Sequence, residues 1–147
     1  MSNTCRICLN MIVKNESKII TRLFDSVLPL IDSYCICDTG STDDTIQIIK
    51  EYFHKKEIPG KIIQIPFQDF GYNRTQALQV CNDMLDIDYI LLIDADMMLR
   101  IPEKVSISDI KSIIVNKPAH YLFQGCDKFY YRNIRIVKKD MLIHIGV

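Results

Sequence analysis

Apolar runs long enough for single strands alternate along this sequence with longer stretches in which apolar residues recur at helical spacing. The strand-like runs are Arg6 to Val13, Tyr34 to Cys37, Lys61 to Ile65 and Tyr89 to Ile93. The helical stretches between them are Ser17 to Ile31, Ile46 to Phe53 and about Asn73 to Leu85. This alternation predicts an α/β fold in which helices cover a mostly parallel sheet. Ser41 and Asp44 have the spacing of an N-cap pair for the second helix.

The last third of the sequence departs from this alternation. Ile107 to Val115 is predicted to form a short helix capped by Ser106 or Ser108. Tyr121 to Gln124 and Phe129 to Val137 read as two strands of a β-hairpin, which would add antiparallel or mixed pairing to the sheet. No internal repeat, low-complexity tract or flexible linker is visible, so we predict one domain over residues 1–147.

Composition excludes several classes of protein. The formal net charge is +0 and there is no basic run, which argues against nucleic-acid binding. The charged residues among the first twenty leave no signal-peptide core, and no apolar stretch reaches the length needed to span a membrane. We therefore expect a soluble, cytoplasmic protein.

The six cysteines raise the question of a metal site or of disulfides. Cys5 and Cys8 have C-x-x-C spacing, and Cys35 and Cys37 lie on another predicted strand. Zinc would need four converging ligands, whereas these cysteines lie inside apolar runs without the turn residues of a zinc knuckle. We expect reduced thiols in the core rather than structural zinc or a disulfide framework.

Two carboxylates end the apolar run Tyr89 to Ile93. Asp94 and Asp96 are two residues apart, so on an extended chain their side chains lie on the same side. Such a pair would be stabilised by a hard divalent cation such as Mg²⁺ or Mn²⁺, which prefers oxygen ligands and is commonly shared with a substrate phosphate. The structural alternative is a strand that ends in a polar turn.

Two other polar clusters follow predicted strands: Asn15-Glu16 after the first, and Asp38-Thr39-Gly40-Ser41 after the second. Parallel sheets bind ligands in the crevice beyond the carboxyl ends of their strands. Three polar clusters on the same edge of the sheet therefore predict a binding site there.

Four segments together resemble the family 2 glycosyltransferases, particularly bacterial and viral members that modify lipopolysaccharide cores or glycans. These segments are Met11 to Glu16, Cys37 to Thr45, Asn73 to Leu78 and Leu91 to Asp96. The resemblance implies a GT-A fold and a nucleotide-diphospho-sugar donor, usually a UDP-sugar. It also implies a Mn²⁺ or Mg²⁺ cofactor, and transfer to a glycan, lipid or protein hydroxyl with inversion at the anomeric carbon.

The resemblance also assigns roles to three acidic residues. Asp38 matches the acid that hydrogen-bonds the donor base, usually uracil, although it could instead cap the turn before the second helix. Asp94 matches the acid on the ribose and metal side of the motif, and Asp96 matches the direct metal ligand.

Four further positions match polar residues around the nucleotide. Asp69 and Arg74 match positions that flank it, and Arg74 suits a phosphate or a base edge, although it could be a surface arginine at a helix start. Asn15 and Glu16 lie where the family lines the base pocket, or they could merely begin a helix.

Inverting transfer also requires a general base to deprotonate the acceptor hydroxyl. In the resembling family this base is an acid beyond the central sheet, and here no Asp or Glu follows Asp140. His144 is a candidate by position, with an ordinary strand residue as the alternative. We expect the base to lie beyond Val147. The chain would then be the N-terminal, donor-binding part of a longer enzyme, with further domains or a homodimer, that binds its donor but transfers sugar poorly.

Two other interpretations remain open at this stage. The chain could be a nucleotide-sugar-binding module without catalysis. The tetrapeptide from Asp38 to Ser41 also matches the aspartic-protease motif, whose short viral members are dimers, but that fold is nearly all β and helical periodicity follows this motif at once.

Overall fold

The structure is a computed structural model that describes residues 4–84, 86–126 and 129–139. The strands are β1 (Ile7–Val13), β2 (Ser33–Asp38), β3 (Gly60–Gln64), β4 (Tyr89–Leu92), β5 (Ala119–Cys126) and β6 (Phe129–Lys138). The helices are α1 (Ile20–Val27), α2 (Thr45–Lys55), α3 (Phe70–Asn82) and α4 (Ile107–Ile114).

The strands form one mixed sheet in the order β3-β2-β1-β4-β6-β5. β1 lies parallel to both β2 and β4, and β2 lies parallel to β3. β6 runs antiparallel to β4, and β5 antiparallel to β6. The predicted α/β fold and its C-terminal hairpin are confirmed, and the carboxyl ends of β1, β2 and β4 meet at one edge of the sheet.

Alternate residues of β1 face two different parts of the core. Ile7, Leu9 and Met11 pack with residues of α1 and α2, among them Phe24 and Phe53. On the other face, Cys8 packs with Cys35, Leu78 and Cys81 beneath α3. The buried Asn10 amide donates to the carbonyls of Cys35 and Ala77 at 3.1 Å each, which fixes α3 to the sheet.

Five of the six cysteines pack in the core as predicted. Cys5, Cys8, Cys35, Cys37 and Cys81 are buried and unbridged. Burial raises the pKa of Cys37 to about 11, so its thiol stays protonated at neutral pH. In the described residues no group of three His, Cys, Asp or Glu side chains is arranged to hold a metal ion.

Two predicted helix boundaries were wrong. α1 begins at Ile20 rather than Ser17, because the amides of Ile19 and Ile20 both bond the Glu16 carbonyl in a preceding turn, and it ends at Val27. Leu28 still has helical dihedral angles and its amide donates to the Phe24 carbonyl, but Pro29 has no amide proton with which to continue the helix. α3 begins at Phe70 rather than near Asn73.

The predicted N-cap pair of α2 was also wrong. The Asp44 side chain makes no cap hydrogen bond, and the Ser41 hydroxyl donates to Asp38 instead. The cap oxygen comes from Asp43, which accepts from the Thr45 amide at 3.0 Å. For α4, Ser106 is the cap, because its hydroxyl accepts from the Asp109 amide at 3.0 Å.

Two sequence interpretations depend on the fold. The Asp38 to Ser41 tetrapeptide follows a parallel strand and precedes α2, so the aspartic-protease alternative, which needs a nearly all-β fold, is wrong. No helix in the described parts of the chain is both long and apolar enough to cross a bilayer. The single-domain extent and the cytoplasmic location stay predictions.

Candidate functional site

A cavity of about 350 Å³ opens at the sheet edge where β1 and β4 end. Its lining residues come from the end of β1, the β1–α1 loop, the start of α3 and the segment after β4. They are Ile12, Lys14, Glu16, Ile19, Phe70, Asp94, Ala95 and Asp96. The cavity therefore lies where parallel sheets usually bind ligands.

Asn15 joins the β1–α1 loop to the β2–α2 loop. Its backbone has a φ of +54°, a left-handed conformation that asparagine tolerates better than most residues. The side-chain oxygen accepts from the amides of Thr42 at 2.7 Å and Asp43 at 3.2 Å, and the Asn15 amide donates to the Ser41 hydroxyl. These bonds hold Asn15 in the loop network, and it does not line the cavity.

Asp38 is occupied by its own turn. Its carboxylate accepts from the amides of Gly40 at 3.0 Å and Ser41 at 2.9 Å, and also from the Ser41 hydroxyl. The residue is only 2% exposed. The turn-stabilising role considered for Asp38 is therefore present in the structure, and the base-binding role stays a prediction.

Asp43 performs a similar task at the start of α2. Its carboxylate accepts from the Thr45 amide and hydroxyl, and from the Ser17 amide at 3.3 Å. The hydrogen bonds from Thr45 and Ser17 lower the pKa of Asp43 to about 2. Thr45 in turn accepts from the Glu16 amide at 2.9 Å, so this network also fixes the backbone of Glu16.

The first turn of α3 forms another wall of the site. Asp69 caps the helix by accepting from the Tyr72 amide at 2.7 Å, which gives this predicted nucleotide-flanking residue a structural role. The buried Asn73 accepts from the Gln68 amide at 2.9 Å and donates to the Pro66 carbonyl at 3.2 Å, holding the preceding loop. Phe70 is left 64% exposed at the cavity.

Arg74 and Asp94 connect α3 to the end of β4. The Arg74 Nη2 atom lies 3.4 Å from the Asp94 Oδ1 atom, and the two side chains are 12% and 42% exposed. The guanidinium also lies over the Phe70 ring, 5.7 Å from its centroid. Burial lowers the pKa of Arg74, and Asp94 opposes that effect. Among the residues that the structure describes, the buried Nη1 atom has no hydrogen-bond partner, although a buried donor normally has one.

Three of the side chains that line the cavity are acidic. Burial raises the pKa of Glu16, and the nearby charges of Asp96, Asp43 and Asp94 raise it further. Asp96 is exposed, and its carbonyl accepts from Arg22 at 3.4 Å. Glu16, Asp94 and Asp96 thus concentrate negative charge around one space.

These carboxylates suit a cation for which the protein supplies only some of the ligands. Carboxylate oxygens are preferred ligands of Mg²⁺ and Mn²⁺, and the mutual repulsion expressed in the Glu16 pKa would be relieved by a cation. The described residues offer no preformed three-ligand cluster, so substrate oxygens and water would complete the coordination. Asp96 and Asp94 fit the ion as partial ligands.

The predicted site residues therefore divide into two groups. The cavity brings Glu16, Asp94 and Asp96 together, with Arg74 behind Asp94. Asn15, Asp38 and Asp69 instead hold the surrounding loops, and His144 lies outside the described residues.

Among the charged and aromatic residues that line the cavity, sequence reasoning assigned no role to Lys14 and Phe70. Lys14 precedes Asn15 in the segment Met11 to Glu16, and its place in that segment could have indicated that it lines the site. Phe70 was missed because the predicted start of α3 was several residues late, which left this aromatic residue in a loop.

Comparison with known proteins identifies related sequences. A family model described as Glycosyl transferase family 2 matches residues 8–102. The SPbeta prophage-derived glycosyltransferase SunS of Bacillus subtilis strain 168 is 31% identical over 113 residues, which are 77% of this chain and 25% of that protein. An uncharacterized glycosyltransferase of Rickettsia felis is 33% identical over 86 residues, 58% of this chain and 27% of that protein. The chain spans about a quarter of the length of these curated relatives.

Solved structures share the fold across nearly the whole chain. TarS 1-349 of S. aureus in complex with UDP superposes with a TM-score of 0.68 at 17% identity, covering 97% of this chain and 49% of that one. The mannosyltransferase PcManGT of Pyrobaculum calidifontis, in complex with GDP-Man and Mn²⁺, gives 0.70 at 11% identity, covering 97% and 47%. The family match covers well over half of the chain and the architecture agrees with it, so this chain belongs to glycosyl transferase family 2 and has the GT-A fold.

Proposed function

We propose that this chain binds a nucleotide-diphospho-sugar, in the first place a UDP-sugar, together with Mn²⁺ or Mg²⁺ in the cavity described above. The observation that carries the proposal is the arrangement of Glu16, Asp94 and Asp96 around one space, beside a buried guanidinium with an unpaired nitrogen. A nucleoside diphosphate and a divalent cation together complement such a site, because the carboxylates bind the cation and the guanidinium binds the diphosphate. The UDP and the GDP-Man with Mn²⁺ in the two structural neighbours support this choice.

Each side chain has a proposed task. Asp96, the exposed acid, holds the cation, and Asp94 shares that task while orienting Arg74. Arg74 directs its remaining donors toward the nucleotide, and Glu16 borders the base side of the cavity. Asn15, Asp38 and Asp69 serve the nucleotide mainly by fixing the loops around it.

The proposed reaction is glycosyl transfer to an acceptor hydroxyl, of a glycan, lipid or protein, with inversion at the anomeric carbon. When bound, the cation would supply Lewis acidity that neutralises the charge developing on the departing diphosphate. Arg74 adds positive charge on the same side, because its guanidinium stays protonated in proteins. The general base is not assigned among the described residues.

Binding of nucleotide sugar without transfer is the alternative. A catalytic transferase would release nucleoside diphosphate from the sugar donor in the presence of an acceptor, or slowly by hydrolysis without one. A binding module would take up the same donor and leave it intact. Product analysis by liquid chromatography after prolonged incubation with each UDP-sugar and Mn²⁺ separates the two.

The test of donor binding is a thermal-shift panel of UDP, GDP and their sugars with and without Mn²⁺. A ligand that binds the native state raises the apparent stability by mass action, by about 2.7 kcal/mol at a hundredfold excess over Kd. We expect a Mn²⁺-dependent shift for the wild type that disappears in Asp96→Asn. Glu51→Gln is the matched control, because this exposed acid on α2 bonds only Gln47 among the described contacts and should keep the full shift. If no nucleoside diphosphate shifts the wild type, or if Asp96→Asn retains the Mn²⁺-dependent part, the proposal is wrong.

A further inference from the structure

The hairpin strand β6 brings a second guanidinium to the site. In the antiparallel β4–β6 pair, Leu91 lies opposite Ile136. Arg135 is the residue before Ile136 in β6, so it lies at the level where β4 ends and the chain turns toward Asp94. The sheet topology, rather than sequence proximity, brings Arg135 to this edge.

Arg135 is held in place by the neighbouring strand. Its Nη2 atom donates to the Gln124 Oε1 atom on β5 at 2.6 Å. The side chain is half-buried. In residues 4–84, 86–126 and 129–139, no carboxylate lies within ion-pair distance of it. A neutral amide orients this guanidinium without neutralising it.

The Arg135 guanidinium is near enough to Arg74 for its charge to act on it. The positive charge of Arg135 lowers the pKa of Arg74, in addition to the larger effect of burial. Within the described part of the chain, the carboxylate partner of Arg74 is Asp94 alone, which is 42% exposed and bonds Arg74 through one oxygen, and Arg135 has no carboxylate partner. The two guanidiniums are thus balanced by one ion-paired carboxylate, and among these residues the Arg74 Nη1 atom still lacks an acceptor. Like charges held together with an unmet donor indicate room for an anion.

We propose that Arg135, oriented by Gln124, is a second anion-binding residue of the donor site and contacts the diphosphate together with Arg74. The planar fork of each guanidinium matches phosphate oxygens, and paired arginines on different elements can hold two faces of a diphosphate. The proposal rests on the proposed function, because it takes the donor to be a nucleotide-diphospho-sugar. It adds the hairpin as a binding element, so that α3, the β4 segment and the hairpin each supply one side of the site.

The test compares Arg135→Gln with Arg132→Gln in the full chain, using calorimetric titration of UDP and of uridine in the presence of Mn²⁺. Arg132 is a matched control, since it lies on the same strand, is exposed, and has its guanidinium over the Tyr121 ring at 5.6 Å from the centroid. We expect Arg135→Gln to weaken UDP by about tenfold or more, the loss of a charge-assisted bond, and to leave uridine unchanged. Arg132→Gln should bind both as the wild type does.

Two further variants keep the test decisive if Arg135→Gln folds poorly. Arg135→Lys keeps the charge and loses the fork, so we expect an intermediate loss of UDP affinity even if the Gln variant folds poorly. Gln124→Ala frees the Arg135 side chain and should weaken UDP less than Arg135→Gln does. Equal UDP affinity in Arg135→Gln, Arg135→Lys and the wild type overturns the proposal, as does a loss that is the same for uridine and UDP.

Inorganic pyrophosphate separates this proposal from the proposed function. If the wild type binds no nucleoside diphosphate, donor binding fails. The anion site is then judged by pyrophosphate alone. Binding by the wild type that is lost in Arg135→Gln supports the guanidinium pair. Absence of pyrophosphate binding, or binding that the substitution leaves unaltered, rejects it.

Discussion

The two sides of the candidate site satisfy their polar groups in different ways. On the β1–β2 side, Asn15, Asp38 and Asp43 spend their oxygens on amides and hydroxyls of the neighbouring loops. On the α3–β4 side, the Arg74 guanidinium keeps a nitrogen that is unpaired within the described residues. The Asp96 side chain makes no hydrogen bond or ion pair to any other residue that the structure describes. The polar groups of the first side have their partners without a ligand, whereas the second side has donors and acceptors that a ligand could bind.

This difference separates scaffolding from binding within a single set of motifs. A buried polar group that already has partners stabilises the fold, and its removal leaves those partners unpaired. A polar group that lacks hydrogen-bond or ion-pair partners lowers the stability of the free protein, and a ligand can supply the missing partner. Substitutions on the two sides should therefore change different quantities: stability on the β1–β2 side and ligand binding on the α3–β4 side.

The largest effect on stability should come from Asp38→Ala. The substitution leaves the amides of Gly40 and Ser41 without their acceptor in a buried turn, so we expect a loss of about 2 kcal/mol or more in the free energy of unfolding. Urea unfolding of the ligand-free chain measures it. Asp44→Ala is the control from the same motif, because the Asp44 side chain makes no cap bond, and it should cost little. A similar cost for both variants would contradict the division between the two sides.

Asp94→Ala and Arg74→Met should have unequal effects on stability. Removing Asp94 leaves the buried Arg74 charge without its partner, which we expect to cost about 1–2 kcal/mol, allowing for the exposure of Asp94. Arg74→Met removes the buried charge itself together with its unpaired nitrogen, so it should cost less. Chemical denaturation of the two variants and of the double variant gives the coupling energy. A larger cost for Arg74→Met than for Asp94→Ala would show that the ion pair is complete without ligand.

The acid sensitivity of the β1–β2 side should follow Asp43. Its pKa of about 2 lies below the ordinary value of 3.8, so its ionised form is favoured by folding. This contribution is present above the unfolded pKa and is lost as the pH falls from there through about 2. Carboxyl chemical shifts in an NMR titration should show the low pKa in the wild type and a value nearer 3.8 in Thr45→Val, which lacks the hydroxyl donor. An unchanged pKa in Thr45→Val would contradict the assigned cause.

The sequence predicted the sheet and the edge that carries the site because those depend on repeating patterns. The apolar runs ending at Val13, Cys37 and Ile93 mark strands, and polar residues after parallel strands must meet at one edge. Family resemblance then selected motifs, and residues from three of them line the cavity or the loops beside it. It did not predict how each motif residue would be used.

Local competition and non-local pairing account for what was missed. The carboxylates of Asp38 and Asp69 could serve a ligand or a backbone amide, and the sequence did not show that they accept from the nearby amides of Ser41 and Tyr72. Their nucleotide contacts stay predictions. Arg135 lies far along the sequence from the motifs, and only the antiparallel β4–β6 pairing brings it to the site. No spacing rule within the first hundred residues could have indicated it.

The smallest effect on stability should come from Glu16→Gln, and its sign is the informative part. Because the pKa of Glu16 is raised, folding favours its protonated form, and that contribution is present below the unfolded pKa and lost as the pH rises through the folded one. At pH 7 the ionised group opposes folding, so the neutral variant should be more stable, by less than about 1 kcal/mol since solvent screens the site.

Thermal unfolding at pH 7 and at pH 4 tests this expectation. The gain from Glu16→Gln should be present at pH 7 and shrink at pH 4, where the wild-type carboxyl is largely protonated. Glu51→Gln, on the exposed side of α2, should show no such difference between the two conditions. Saturating Mn²⁺ should abolish the gain, because a bound cation compensates the charge that Glu16 meets from Asp96 and Asp94. A loss of stability at pH 7 would place Glu16 with the satisfied groups of the β1–β2 side.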